Sequence, residues 1–147
     1  MKRLRVNVLG VVAVGFLGLA VPANAQCIVI EDPAEMFRTA EAVFVGAVKA
    51  TEPTGARGYH IVTHRAVFDV ERVWKGRLKR FETVGTVEAL QPGKRYVVFA
   101  RGKRESGFSV SLSTSLECGW SELESDAQRK LQWLAEEADA PVVPENN

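Results

Sequence analysis

The sequence predicts a mainly β domain: a five-stranded, closed or nearly closed barrel with a short helix before it and a helix after it. Three observations predict this. At Ala42 the apolar period changes from helical to two. Five strand-like segments separated by turn formers then follow as far as Leu112. After Cys118 the helical period returns. An open antiparallel sheet of this size leaves unpaired edges, and closure removes them.

The first helix starts at Asp32-Pro33-Ala34-Glu35. Asp32 can cap, Pro33 suits the first helical position, and Glu35 sits where a capping box requires it. Met36, Phe37 and Ala40 give this helix an apolar side. In the first strand Val43, Val45 and Ala47 alternate with Phe44, Gly46 and Val48. Thr51 to Gly58 reads as a loop, and Tyr59 to Val73 as a long second strand. The step from Val70 to Val73 breaks alternation, which predicts a bulge near Glu71-Arg72. Trp74-Lys75-Gly76 leads into a turn, and Phe81 to Val87 is the third strand. Gln91-Pro92-Gly93-Lys94 fits a type II turn. Tyr96 to Ala100 is the fourth strand, Arg101 to Ser106 a charged hairpin loop, and Phe108, Val110 and Leu112 mark the fifth. Ser121-Glu122-Leu123-Glu124 reads as the capping box of the last helix. Its apolar stripe is Leu131, Leu134, Ala135 and Ala138, expected to pack on the barrel. Pro141 to Asn147 reads as a frayed tail.

The first 25 residues read as a cleaved signal peptide. Lys2, Arg3 and Arg5 are followed by an apolar run from Val8 to Val21, then by Ala23-Asn24-Ala25. An uncleaved anchor needs about 20 apolar residues, more than this run supplies. A lipoprotein signal is disfavoured because Gln26 stands before Cys27. The expected domain is residues 26–140, periplasmic or secreted, with no stable membrane insertion after cleavage and a flexible tail at 141–147. The mature part has 16 basic and 18 acidic residues, a net charge of −2, so no global basic excess attracts nucleic acid. Cys27 and Cys118, an even count in an exported chain, read as a disulfide. In the chain-entropy model a loop of that length is worth at most about 4–5 kcal/mol.

No catalytic constellation stands out in the sequence. His60 and His64 lie four apart on a strand, a separation of roughly 13 Å, too far to share one ion. No Ser-His-Asp pattern or phosphate loop is present, so neither catalysis, a metal nor a cofactor is expected. The basic residues Lys75, Arg77, Lys79 and Arg80, with Arg95, Arg101, Lys103 and Arg104, can form either an anion-binding face or a solvated surface. A barrel of the OB type is a frequent host for single-stranded nucleic acid, but an exported protein rarely meets it, so no nucleic-acid partner is expected.

Four segments together carry a resemblance: Ala42-Val43-Phe44-Val45-Gly46, Phe68-Asp69-Val70-Glu71-Arg72-Val73-Trp74-Lys75-Gly76, Gly93-Lys94-Arg95-Tyr96-Val97-Val98-Phe99-Ala100 and Ser113-Thr114-Ser115-Leu116-Glu117-Cys118. In this order they resemble the bacterial relatives of the tissue inhibitors of metalloproteinases, over roughly Cys27 to Leu134. The resemblance implies a netrin-like, OB-type barrel whose N-terminal segment is pinned by a disulfide. It also implies a protein partner, proteases among the candidates, with Gln26, Cys27, Ile28, Trp74 and Trp120 as candidate contacts. Animal members begin Cys-x-Cys and chelate the protease zinc through the first cysteine's amino group and carbonyl. If Cys27 matches the second of these cysteines, its partner by resemblance is Cys118, and the first falls at Ala25, inside the signal. The chelating residue is then missing, and Gln26 would be the first mature residue.

Overall fold

The computed structural model describes residues 32–57, 62–105, 109–116 and 118–144. Helix α1 (Pro33–Thr39) is followed by strands β1 (Ala42–Pro53), β2 (His64–Lys75), β3 (Phe81–Thr86), β4 (Arg95–Glu105), β5 (Ser109–Thr114) and β6 (Ser121–Leu123), then by helix α2 (Gln128–Glu137). Pairing runs β1-β2-β3-β5-β4 and returns to β1, so five strands close a ring, with β6 added to β4. All pairs are antiparallel except β3–β5, where Gly85 and Thr86 lie parallel to Ser113 and Thr114. The expected mainly β barrel with a helix at each end is therefore present, as a closed mixed barrel of OB-type order.

Alternation along the strands feeds two cores rather than one. Ala42, Phe44 and Val48 of β1 join Ala66, Phe68, Val70 and Val73 of β2, Val84 of β3 and Tyr96, Val98 and Ala100 of β4 in the barrel interior. The rings of Phe44 and Phe68 meet edge to face at 5.3 Å there. Val43 and Val45 of β1 and Val97 and Phe99 of β4 point outward, into a second core roofed by Met36 of α1, Trp120 and Leu134 of α2. Phe37 and Trp133 join the two helices, ring to ring at 5.4 Å. Because β1 and β4 are neighbours covered on both faces, they read as nearly continuous apolar runs.

The bulge lies where the sequence places it. Val45 pairs with Arg72 and Gly46 with Val70, leaving Glu71 as the extra residue, so Val70 and Val73 both face the interior. Gly93 has φ +81° and Lys94 N–H donates to the Gln91 carbonyl at 3.2 Å, as a type II turn requires.

Several boundaries differ from expectation. The loop expected from Thr51 begins only after Pro53, because Thr51, Glu52 and Pro53 pair with Ala66, Arg65 and His64. Residues 58–61, the end of the expected loop and the start of the expected second strand, lie outside the described residues; β2 itself begins at His64. Arg101 to Glu105 is strand, not hairpin loop, because it pairs with Ser109 to Ser113. The capping box expected at Ser121–Glu124 is β6, whose backbone completes the edge of β4 at Tyr96 to Val98. Helix α2 starts at Gln128 without a side-chain cap. In its stripe Ala135 is exposed, and Trp133 packs inward with Leu131, Leu134 and Ala138. At α1, Asp32 caps the Ala34 N–H as expected, but Glu35 turns away from the cap to bind Arg38. The tail is held too: Val142 exchanges two backbone hydrogen bonds with Val73, and Pro144 is buried.

Candidate functional site

The candidate contacts read from the sequence have two parts, an N-terminal segment beside a disulfide and the tryptophans Trp74 and Trp120. Gln26, Cys27 and Ile28 lie outside the described residues. Cys118 is described. It follows β5 in a turn, where its N–H faces the Ser115 hydroxyl at 3.3 Å, and it packs half-buried against the outer core that holds Met36 of α1. It is not a free thiol. The turn is shaped by Gly119, at φ +71°, whose N–H donates to the Leu116 carbonyl. Glu88 steadies the same turn, accepting from the Ser115 hydroxyl at 2.8 Å and the Leu116 N–H at 2.9 Å.

The tryptophans do not form an exposed patch. Trp120 is 5 % exposed, because its carbonyl accepts from Phe99 N–H and its ring then lies over the outer face of β4. The Arg101 guanidinium covers it at 5.1 Å. Trp74 is half-buried at the edge of the same core, with Arg72 over its ring at 5.3 Å, and its buried indole N–H has no acceptor among the described residues. Among the described residues the most exposed large hydrophobics are Phe81, Val142 and Val143, at 54 %, 62 % and 79 %. Sequence reasoning missed Val142 and Val143 because a short apolar pair between prolines carries no periodicity.

The basic residues are dispersed among structural tasks. Lys75 donates from Nζ to the carbonyls of Phe37 and Arg38, neutralising the C-terminal end of α1. Arg80 meets Asp69 at 3.3 Å and lies over Phe81. Arg95 binds Glu71 and reaches Glu124 at 3.1 Å, while Arg72 meets Glu124 at 2.5 Å. This four-charge network ties the bulge to the turn before α2. Arg77 and Lys79 remain on the solvent side of the connection between β2 and β3. No single anion-binding face is assembled by these described side chains.

Two clefts lie among the described residues. One, of about 350 Å³, is bounded by Gln91, Tyr96, Ser121, Glu122 and Lys130. Its cation is already satisfied, since Lys130 donates to Glu122 at 2.8 Å and to the Gly119 carbonyl at 2.7 Å. The other, of about 300 Å³, is bounded by Glu41, Gly76, Arg77, Leu78 and Glu82. His64 shares a hydrogen bond with the Thr63 hydroxyl at 2.8 Å, and His60 lies outside the described residues. Among the described residues no group of three or more His, Cys, Asp or Glu side chains could hold a metal ion, and no helix is long and apolar enough to cross a membrane.

No protein-family model matches this chain, and no curated protein matches it.

Proposed function

We propose that this chain is a periplasmic or secreted protein-binding module, similar to the netrin-like inhibitors of metalloproteases but without their zinc-chelating N-terminus. The observation that carries this reading is the position of Cys118. It packs, beside α1, on the outer core of a closed OB-type barrel. A bridge from Cys27 to that point would hold Gln26 to Ile28 near α1 and the outer core. The resemblance places the partner contacts of its animal relatives there.

Zinc chelation in that fold requires an unprotonated amine and a carbonyl on one residue, held rigidly. After cleavage behind Ala25 the first residue is Gln26, one step before the only nearby cysteine. Amino-terminal glutamine cyclises to pyroglutamate, whose amide nitrogen has no lone pair available for a metal at neutral pH. Inhibition of a protease, where it occurs, then arises from surface contacts. The test is an inhibition assay against a panel of zinc proteases, with the N-terminus checked by intact mass. Potent inhibition that disappears when one alanine is added before Gln26 refutes the absence of chelation.

A second reading, a structural or envelope-assembly domain with no inhibitory role, is favoured by the burial of Trp120 and by the paired charges around Glu124. A pull-down from an extracytoplasmic extract separates the two. Recovery of a protease supports the first, and recovery of envelope components alone supports the second.

A further inference from the structure

The short strand β6 divides its side chains between two surfaces. Ser121 pairs with Val98 of β4, and Leu123 with Tyr96. Residues directly opposite on antiparallel strands share a face, and Val98 and Tyr96 belong to the barrel interior. Ser121 and Leu123 therefore turn to the interior side. Glu122 turns to the other, where it meets Lys130 of α2 at 2.8 Å. Both sides contribute to the cleft of about 350 Å³, whose walls also include Tyr96, Leu116 and Asp126.

Two polar groups of this cleft are unmatched. Ser121 is 2 % exposed, yet its hydroxyl has no hydrogen-bond partner among the described residues. A buried hydroxyl without a partner is costly, and an apolar side chain of the same size would fill the place without that cost. The second group is the carboxylate of Asp126, an exposed residue. It accepts from the neighbouring Ser125 hydroxyl at 2.9 Å, and no cation among the described residues pairs with it. The other two charges in the wall cancel, because Lys130 donates to Glu122 and to the Gly119 carbonyl. The cleft thus combines one net negative charge, one unsatisfied hydroxyl and the apolar surface of Leu116, Leu123 and Tyr96. Its complement is a hydrogen-bond-donating cation on an apolar stem. The volume lies at the low end for ligand sites, which suits one long side chain better than a nucleotide or a larger cofactor.

We propose that this cleft receives one arginine side chain of a partner polypeptide. The guanidinium supplies the donors that the Ser121 hydroxyl and the Asp126 carboxylate lack, and the methylene stem covers Leu116 and Leu123. Arginine fits better than lysine, because its planar head offers five donors and gives up its water more readily than an ammonium. Arginines seated in this way are frequent anchors of protein interfaces. The inference rests on the protein-binding reading above and names the anchor that the partner supplies.

The experiment uses the full mature chain, labelled with nitrogen-15 and titrated at low salt with N-acetyl-argininamide. The neutral isostere N-acetyl-citrullinamide is the control. The arginine probe produces saturable shifts centred on the amides of Leu116, Gly119, Ser121, Leu123 and Asp126. The citrulline probe binds at least about tenfold more weakly, since it loses the charge-assisted hydrogen bonds. Asp126→Asn and Ser121→Ala each weaken the arginine probe at least about threefold. Ser121→Ala leaves the urea midpoint unchanged or raises it, because the hydroxyl it removes has no partner in the fold. No saturable shift, shifts centred elsewhere, equal binding of the two probes, or full binding by either variant overturns the proposal. A lowered urea midpoint for Ser121→Ala, or its failure to fold, gives the hydroxyl a structural role and also overturns it. The probe needs no natural partner, so its failure leaves the outcome of the pull-down and the protease assay untouched.

Discussion

Gly46→Ala tests the bulge that shapes the barrel. Gly46 is buried in the middle of β1, paired with Val70 on one side and Tyr96 on the other. The extra residue Glu71 bends β2 toward it, so that a Cβ at position 46 would lie 2.9 Å from the Asp69 carbonyl oxygen and 3.2 Å from the Val70 Cα. Both are backbone atoms held in the sheet, and neither can rotate away. Alanine gains about 0.4–1 kcal/mol because it restricts the unfolded chain more than glycine does. Overpacking against a fixed wall costs about 1–3 kcal/mol. The expected balance is a loss of about 1–2 kcal/mol, seen in urea as a lower midpoint with an unchanged slope. Gly85→Ala is the control. Its Cβ would meet Val62 Cγ1 at 2.7 Å, a closer contact, but with the tip of a side chain that can turn; the nearest backbone atom is at 3.5 Å. That variant loses about 0.5 kcal/mol or less, because the side-chain clash relaxes. A Gly46→Ala protein as stable as the parent, or less affected than Gly85→Ala, refutes the argument that backbone at the bulge excludes a side chain.

Phe68→Ala removes a fully buried ring from the barrel interior, where it meets Phe44, and should cost about 3–5 kcal/mol in equilibrium unfolding. The Glu35 carboxylate accepts hydrogen bonds from Arg38, which holds it below its ordinary value of 4.5. Its folded-state pKa is depressed, so its contribution to α1 is present above the ordinary value and lost as pH falls through the folded one. Side-chain NMR should place that midpoint below 4.5, and Arg38→Ala should move it up; the pair lies at the solvent surface, so 1 M salt should erase most of the difference. Thiol titration of the denatured, unreduced mature protein should detect no free thiol. Reduction should then lower stability by about 2–5 kcal/mol; two titratable thiols exclude the Cys27–Cys118 bridge.

Period and turn chemistry made the five barrel strands and both helices legible, because each depends on neighbours in the chain. Val70 and Val73 revealed the bulge, since two interior residues three apart on a strand require one extra residue between them. Pro92-Gly93 revealed its turn, since only glycine takes the third position of a type II turn without strain. Boundaries were less legible. Arg101 to Glu105 is charged and reads as loop, but its backbone pairs with β5 through main-chain groups, which side-chain charge does not alter. Ser121-Glu122-Leu123-Glu124 matches a capping box, but the unpaired edge of β4 took these residues as β6 first. The candidate site was the least legible part. Trp120 is apolar and isolated in sequence, so nothing local distinguishes an exposed contact from a core residue, and the fold buries it over Phe99 and Val97. Lys75 is one of a basic run, yet it alone reaches the end of α1.

The sequence by itself determined what is local: the five barrel strands and the two helices in their order along the chain, and the turn and bulge residues that punctuate them. Tertiary structure decided what depends on contacts distant in the chain. It fixed the parallel β3–β5 junction that closes the ring, the division of β1 and β4 side chains between two cores, and the seat of the tail on Val73. The reason is physical. Alternation states which residues share a face of a strand, but both faces of β1 and β4 are apolar, and only closure and the docking of α1 and α2 decide which face becomes interior. Backbone edges carry no sequence signal at all. Whether Val73 meets solvent, the chain's own Val142 or another strand is settled by which donors and acceptors arrive at that edge.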